Sequence, residues 1–228
     1  RRKSSRTGTF PGVKVAIVGA GGMGRVHAAK YAAMPNVELV WTDLDPARTL
    51  PHGVRTTPEE ALSADVVDLC LPTDLHREWG ERALAAGRAV FVEKPLARTE
   101  ADGLALVEAA ERTGRPLMPG HVVRFFAEYE AARRLVLAGA VGDVATARLR
   151  RVGGMPKGSG WFADPARSGG VLLDLAVHDF DWLLWTLGPV ERVTARSARF
   201  SPNPPASGDH AVATLRHASG AISHVEAS

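Results

Sequence analysis

The order of patterns along this chain predicts an α/β protein: an open, parallel, doubly wound sheet in the first half, then a second unit of helices and strands. Three observations carry that expectation. Val13-Lys14-Val15-Ala16-Ile17-Val18 is rich in β-branched and apolar residues, and it runs straight into Gly19-x-Gly21-x-x-Gly24 and a helix-forming stretch. Short apolar runs of strand length then alternate with helix-length segments as far as Pro116. Among them, Val66-Val67-Asp68-Leu69-Cys70-Leu71 is almost continuously apolar, as a parallel strand covered on both faces must be.

The 228 residues suffice for two modest domains, and 45% hydrophobic with 23% charged residues describes an ordinary globular chain. Net charge is +3, and the excess lies in Arg1, Arg2, Lys3 and Arg6. Residues 1–11 therefore read as a disordered basic tail rather than a nucleic-acid arm. The tail lacks the apolar run of a signal peptide, and no run elsewhere reaches membrane-spanning length. The single cysteine, Cys70, excludes an internal disulfide, and no Cys/His spacing is that of a zinc site, so no metal is expected. A cytosolic protein with neither nucleic-acid nor membrane partners is the resulting expectation.

Each element then has its reason. Gly19 permits the sharp exit from the first strand, Gly21 lets backbone approach a pyrophosphate, and Gly24 lets the helix pack closely on the strand. With Ala20, Gly22 and Met23 they form a cradle in which a helix N-terminus offers N–H groups to phosphates. Residues 37–41 form the second strand. Asp43 lies about 20 residues beyond the glycines, where a carboxylate can accept both ribose hydroxyls and would repel a 2′-phosphate, which favours NAD over NADP. Asp43 also suits the opening of the turn Asp43-Leu44-Asp45-Pro46, with Asp45 as the alternative ribose ligand. A short strand covers 54–56, and Thr57 caps a helix starting at Pro58. After the 66–71 strand, a helix runs over 75–86 and stops at Gly87. The 89–92 strand ends at Glu93-Lys94-Pro95, and Thr99 caps a helix through Thr113. Ligands of such sheets sit at the carboxyl ends of strands, where the glycine turn, Asp43, Pro72-Thr73-Asp74-Leu75-His76 and Glu93-Lys94-Pro95 all fall. Lys94 on that rim reads as a chemical group rather than a surface cation.

Pro119-Gly120-His121 closes a first domain, 12–120, and 121–228 forms a second. There the pattern predicts a helix over 127–138, a strand over 144–152, and a glycine-rich loop over 153–160 holding Lys157. A helix over 170–187, a strand over 191–200, and a loop over 202–208 follow. A hairpin of 210–217 and 221–227 turns at Ser219-Gly220. The 170–187 helix is apolar nearly all round and so reads as buried. Asp174 and His178 fall i, i+4 on one of its faces, with Asp181 a turn further on. Burying an ionised carboxylate without partners costs on the order of ~5 kcal/mol, so a functional cavity on that face is expected.

Taken together, four motifs resemble the Gfo/Idh/MocA oxidoreductases in order and spacing, from Val13 to Ser228. They are the glycine turn, Pro72-Thr73-Asp74-Leu75-His76, Glu93-Lys94-Pro95, and Gly169-Gly170-Val171-Leu172-Leu173-Asp174-Leu175-Ala176-Val177-His178-Asp179. The resemblance implies a Rossmann domain followed by an α+β substrate and oligomerisation domain on an open, mostly antiparallel or mixed sheet. It implies NAD-dependent hydride transfer at a secondary hydroxyl of a sugar, a cyclitol or a related polyol. Lys94, Asp174 and His178 match the catalytic residues: His178 as base, Asp174 orienting substrate or His178, and Lys94 holding the reacting oxygen. His121 and Arg124 border the substrate by the same resemblance, and Pro72, Thr73, His76, Glu93 and Lys94 border the cofactor. Members run on past this C-terminus, so the chain reads as C-terminally truncated, with a homo-oligomer (dimer or tetramer) implied for the full-length form. Two rival readings are an NAD-dependent glycoside hydrolase of the same fold and a non-catalytic NAD- and sugar-binding regulator.

Overall fold

The computed structural model describes residues 12–154, 160–200 and 208–228. The basic tail, Lys157 with most of its glycine-rich loop, and nearly all of the 202–208 loop lie outside the described residues. The chain divides into two compact units. The first comprises the chain through Leu71, then Leu75–Glu93 and Leu104–Met118. The second comprises Pro72–Asp74, Lys94–Gly103 and Pro119–Ser228.

In the first unit the glycine turn joins β1 (Val13–Val18) to α1 (Gly22–Ala32). There follow β2 (Val37–Thr42), β3 (Val54–Arg55), α2 (Pro58–Ala61), β4 (Val66–Leu69), α3 (His76–Ala85), β5 (Ala89–Glu93), α4 (Glu100–Thr113) and β6 (Leu117–Gly120). The sheet order is β3-β2-β1-β4-β5-β6, and β1 pairs in parallel with both β2 and β4. Strand order thus reverses between β1 and β4, the place where doubly wound sheets open a crevice. Val15, Ile17, Ala20, Ala28, Leu39, Trp41 and Leu50 form the core under α1. Thr57 caps α2 as predicted: its hydroxyl accepts from Glu60 N at 3.2 Å while Glu60 Oε2 accepts from Thr57 N at 3.1 Å. β6 was not predicted, because Pro119 lies in it. At the sheet's edge, a missing N–H costs no ladder bond.

The second unit carries α5 (Ala127–Leu137), β7 (Thr146–Arg151), α6 (Pro165–Ser168), α7 (Gly170–Asp174) and α8 (Val177–Leu187), then β8 (Val190–Ala198), β9 (His210–His217) and β10 (Ile222–Ala227). Its sheet, ordered β7-β10-β9-β8, is mixed: β10 runs parallel to β7 and antiparallel to β9, and β9 is antiparallel to β8. Gly220, at φ +90°, makes the β9–β10 turn. One sheet face buries Ala213, Leu215, Val225 and Ala227 in a core with Trp182 and Leu183 of α8.

The single helix expected over 170–187 is corrected to two. The ladder shifts at Leu175 and Ala176: the Leu175 and Ala176 amides both donate to the Val171 carbonyl, at 3.0 and 3.1 Å. Nor is the segment buried all round, since Leu184 is 49% exposed while Leu183 is 0%. The i, i+4 argument for Asp174 and His178 assumed one regular helix, and the break between them removes that assumption.

Candidate functional site

The glycine turn separates into two kinds of glycine. A Cβ on Gly19, itself at φ +107°, would lie 2.4 Å from the Cys70 carbonyl oxygen, and one on Gly24 would lie 2.0 Å from the Gly19 oxygen. The protein's own packing excludes side chains at both. A Cβ on Gly21 would meet only Arg48 Nη1, at 3.5 Å, and one on Gly22 would meet nothing within 4 Å. Those two positions leave open a space that the protein does not fill, beside an α1 N-terminus that no side chain caps. An anion that accepts from backbone N–H groups fits there. Met23, 44% exposed, lies on the same turn.

Asp43 closes the cradle from β2. Its Oδ2 accepts from Ala20 N at 2.7 Å and its Oδ1 from Asp45 N at 2.8 Å. Opening a local turn and serving the cradle are thus one role, because the carboxylate that shapes the turn also anchors the glycine loop. Asp45 is half exposed, and its Oδ1 accepts from Ala47 N at 2.9 Å. Sequence reasoning missed Arg48, whose Nη1 lies 3.9 Å from Asp43 Oδ2 and whose Nε lies 3.5 Å from Asp45 Oδ2. The spacing Asp45-x-x-Arg48 was the available signal.

The Pro72–His76 stretch is less open. Thr73 is 2% exposed and His76 1%, and His76 Nε2 lies 3.0 Å from the Leu71 carbonyl oxygen. The imidazole is therefore placed to hold the turn at the end of β4, and it has no surface left for a ligand. Asp74, in the second unit, accepts from Arg167 Nε at 2.9 Å.

In the second unit Lys94 meets Asp174. Lys94 Nζ donates to the Asp174 backbone carbonyl at 2.6 Å and to its Oδ1 at 3.1 Å, with both side chains about one-fifth exposed. The ammonium thus bonds a carbonyl just ahead of the α7–α8 break and still faces solvent in part. His178 stands, partly buried, in the first turn of α8. Arg124 and His121 converge instead on Asp181. Arg124 Nε donates to Asp181 Oδ2 at 2.7 Å and its Nη2 to Oδ1, while His121 Nδ1 lies 3.8 Å from Oδ1. The hydrogen bonds to Asp181 push the Arg124 pKa further up, against a smaller opposing effect of burial. Trp185 lies under the same guanidinium, at 5.2 Å. Two expected substrate residues are thus drawn into an arginine–carboxylate pair.

A second cluster escaped the sequence reading. In the first unit, His27 of α1 faces Asp68 of β4, Cys70 just past its end and Glu93 of β5. Their spacings of 41 and 66 residues carry no local signal. The one available clue was an aspartate inside the apolar run of β4.

A doubly wound sheet with an open glycine cradle defines the dinucleotide-binding class. Residues 13–121 match the family model described as "Oxidoreductase family, NAD-binding Rossmann fold", and residues 129–228 match the "GFO/IDH/MocA C-terminal domain". The chain belongs to the Gfo/Idh/MocA family. It is 32% identical over 205 residues to an inositol 2-dehydrogenase of Rhizobium meliloti (strain 1021), covering 82% of this chain and 58% of that one. It is 34% identical over 202 residues to a D-glucoside 3-dehydrogenase of Escherichia coli (strain K12), covering 81% and 57%. The crystal structure of GenD2 from gentamicin A biosynthesis, in complex with NAD, matches with a TM-score of 0.87 at 30% identity, over 95% of this chain and 66% of that one. The chain therefore spans less than two thirds of the curated relatives' length. Among the described residues, no helix is long and apolar enough to cross a membrane.

Proposed function

We propose that the protein is an NAD-dependent dehydrogenase acting on a secondary hydroxyl of a sugar, a cyclitol or a related polyol. The observation that carries this is the Lys94–Asp174 pair: an ammonium fixed by a carbonyl and a carboxylate, yet left partly open, in a chain that also holds an empty-sided glycine cradle. Relatives named as inositol and glucoside dehydrogenases support the substrate class.

Gly21, Gly22, Met23 and the Asp43 carboxylate are the residues proposed to hold NAD, which when bound supplies the hydride acceptor. Lys94 holds the substrate oxygen by donating from Nζ. Asp174 orients Lys94, a role other than the one expected from sequence, which was to orient the substrate or His178. The His178 imidazole takes the hydroxyl proton as general base. Arg124, held by Asp181, and His121 border the polyol. In its full-length form the enzyme is cytosolic and homo-oligomeric in this proposal. The lone Cys70, which makes no internal disulfide in this sequence, supports the first point.

The test is a polyol and sugar panel, with NAD and NADP, followed by absorbance of the reduced cofactor in wild type, Lys94→Ala and His178→Ala. Each substitution should lower kcat by about 100-fold or more. Turnover within about threefold of wild type in either variant contradicts the role given to that residue.

A further inference from the structure

We propose that His27 is a positioning residue: bridged between two carboxylates, it fixes the strand end from which Lys94 emerges. The proposal rests on the catalytic reading of Lys94. His27 Nδ1 lies 2.8 Å from Asp68 Oδ2, and Nε2 lies 3.1 Å from Glu93 Oε1. The Asp68 side chain is 0% exposed, that of Glu93 12% and that of His27 16%. Cys70 Sγ sits 3.2 Å from Nδ1 and 3.6 Å from Asp68 Oδ1. The rings of Phe91 and Tyr31 meet the imidazole edge-on, at 5.7 and 6.5 Å between centroids. The titratable groups around His27 among the described residues are therefore Asp68 from β4, Cys70 just past its end, Glu93 from β5 and Tyr31 from α1.

A carboxylate at each ring nitrogen requires a donor at each, and only the imidazolium has two. Neutral His27 would turn a lone pair toward one buried carboxylate, and removing the ring would leave Asp68 ionised in the core without a cation. Burial opposes the charge on His27, yet hydrogen bonds to Asp68, Cys70 and Glu93 outweigh it and push the imidazole to about 12. The same geometry decides against a metal. Ligand-type atoms of His27, Asp68 and Cys70 do lie within 4.8 Å of one another, but each nitrogen is already at hydrogen-bond distance from a carboxylate oxygen.

The consequence concerns the next residue. The β4–β5 register ends at the Leu69–Val92 pair, and the Glu93 side chain adds a tie to His27 one residue beyond it. Lys94 follows at once. His27 thus couples the helix that begins at the cradle to the strand end that presents the amine. Misplacing a reacting group by ~1 Å costs on the order of 100-fold in rate, which is the scale on which such an anchor acts.

Two measurements test this. The first is 15N NMR of the wild-type full-length protein at pH 9: both His27 ring nitrogens should carry protons. A neutral ring, or a stoichiometric metal ion that survives gel filtration and is removed by a chelator with a shift in the His27 signals, overturns the clamp. The second compares His27→Gln, whose amide reaches toward Glu93, with His27→Asn, whose amide reaches only toward Asp68. With NAD affinity within about threefold of wild type and matching circular dichroism, kcat should fall at least ~30-fold in His27→Asn and under ~5-fold in His27→Gln. Equal kcat in both variants overturns the positioning role, because mere loss of stability would not separate them. Where neither variant folds, the NMR result decides. Lys94→Ala, run alongside, reports on the catalytic reading separately, since its activity does not depend on the state of His27.

Discussion

Gly24 shows how little freedom the cradle has. A methyl group there would sit 2.0 Å from the Gly19 oxygen, a backbone atom that no rotamer change can move. Gly24→Ala should therefore destabilise the fold by roughly 1–3 kcal/mol through overpacking, read as a lower urea midpoint. Gly21→Ala meets no such obstacle in the protein. It should keep the midpoint and lose NAD affinity, measured by fluorescence titration. Asp43→Ser leaves one hydroxyl where two carboxylate oxygens accept from Ala20 N and Asp45 N, and removes the proposed ribose carboxylate. About tenfold weaker NAD binding, near 1.4 kcal/mol, with a narrower NAD/NADP preference, is the expected outcome. His27 gives a pH prediction. Its native pKa of about 12 stands above the ordinary value of 6.5, so the folded state holds an extra proton between the two. That stabilisation is complete below about pH 6.5 and declines as pH rises toward 12, by at most ~1.4 kcal/mol per unit. Burial also pushes Cys70 up, to about 12, with the same sign but only above the ordinary thiol value. Urea midpoints between pH 7 and 8.5 should thus fall in wild type and stay level in His27→Gln.

At the scale of elements, α8 gives the sharpest contrast. Leu183 is 0% exposed in the second core and Leu184 is 49% exposed. Leu183→Ala should cost about 2–5 kcal/mol and Leu184→Ala within ~0.5, compared by thermal unfolding. An all-apolar reading of the segment predicts similar losses at both. The same region shows where sequence legibility stops. Periodicity placed Asp174 and His178 on one face because it treats a run as one cylinder. It holds no record of Lys94 Nζ, 80 residues earlier, donating to the Asp174 carbonyl. β6 was hidden for a different reason, since Pro119 is forbidden in a central strand and harmless at an edge. Elements announced by local chemistry were legible. The Thr57 cap, the Gly19–Gly24 turn and the Gly220 hairpin depend only on neighbours in sequence.

For the whole molecule, alternation of strand and helix pointed to the doubly wound parallel sheet but not to its strand order, which only the structure shows, while the glycine turn, the Lys94 tripeptide and the 169–179 run pointed to the family. Those motifs are local and strongly patterned. The side-chain clusters His27–Asp68–Glu93 and Arg124–Asp181 join residues far apart in sequence and leave no periodic trace. The two units divide the proposed work, nucleotide binding in the first and proton handling in the second. The most direct test of that account follows the hydrogen itself. A responsive polyol carrying deuterium on the reacting carbinol carbon is turned over with NAD by the full-length enzyme, and the reduced cofactor is analysed by mass spectrometry. The account predicts one deuterium in each molecule of NADH formed, while glycoside cleavage without net NADH, or NADH free of label, would contradict it.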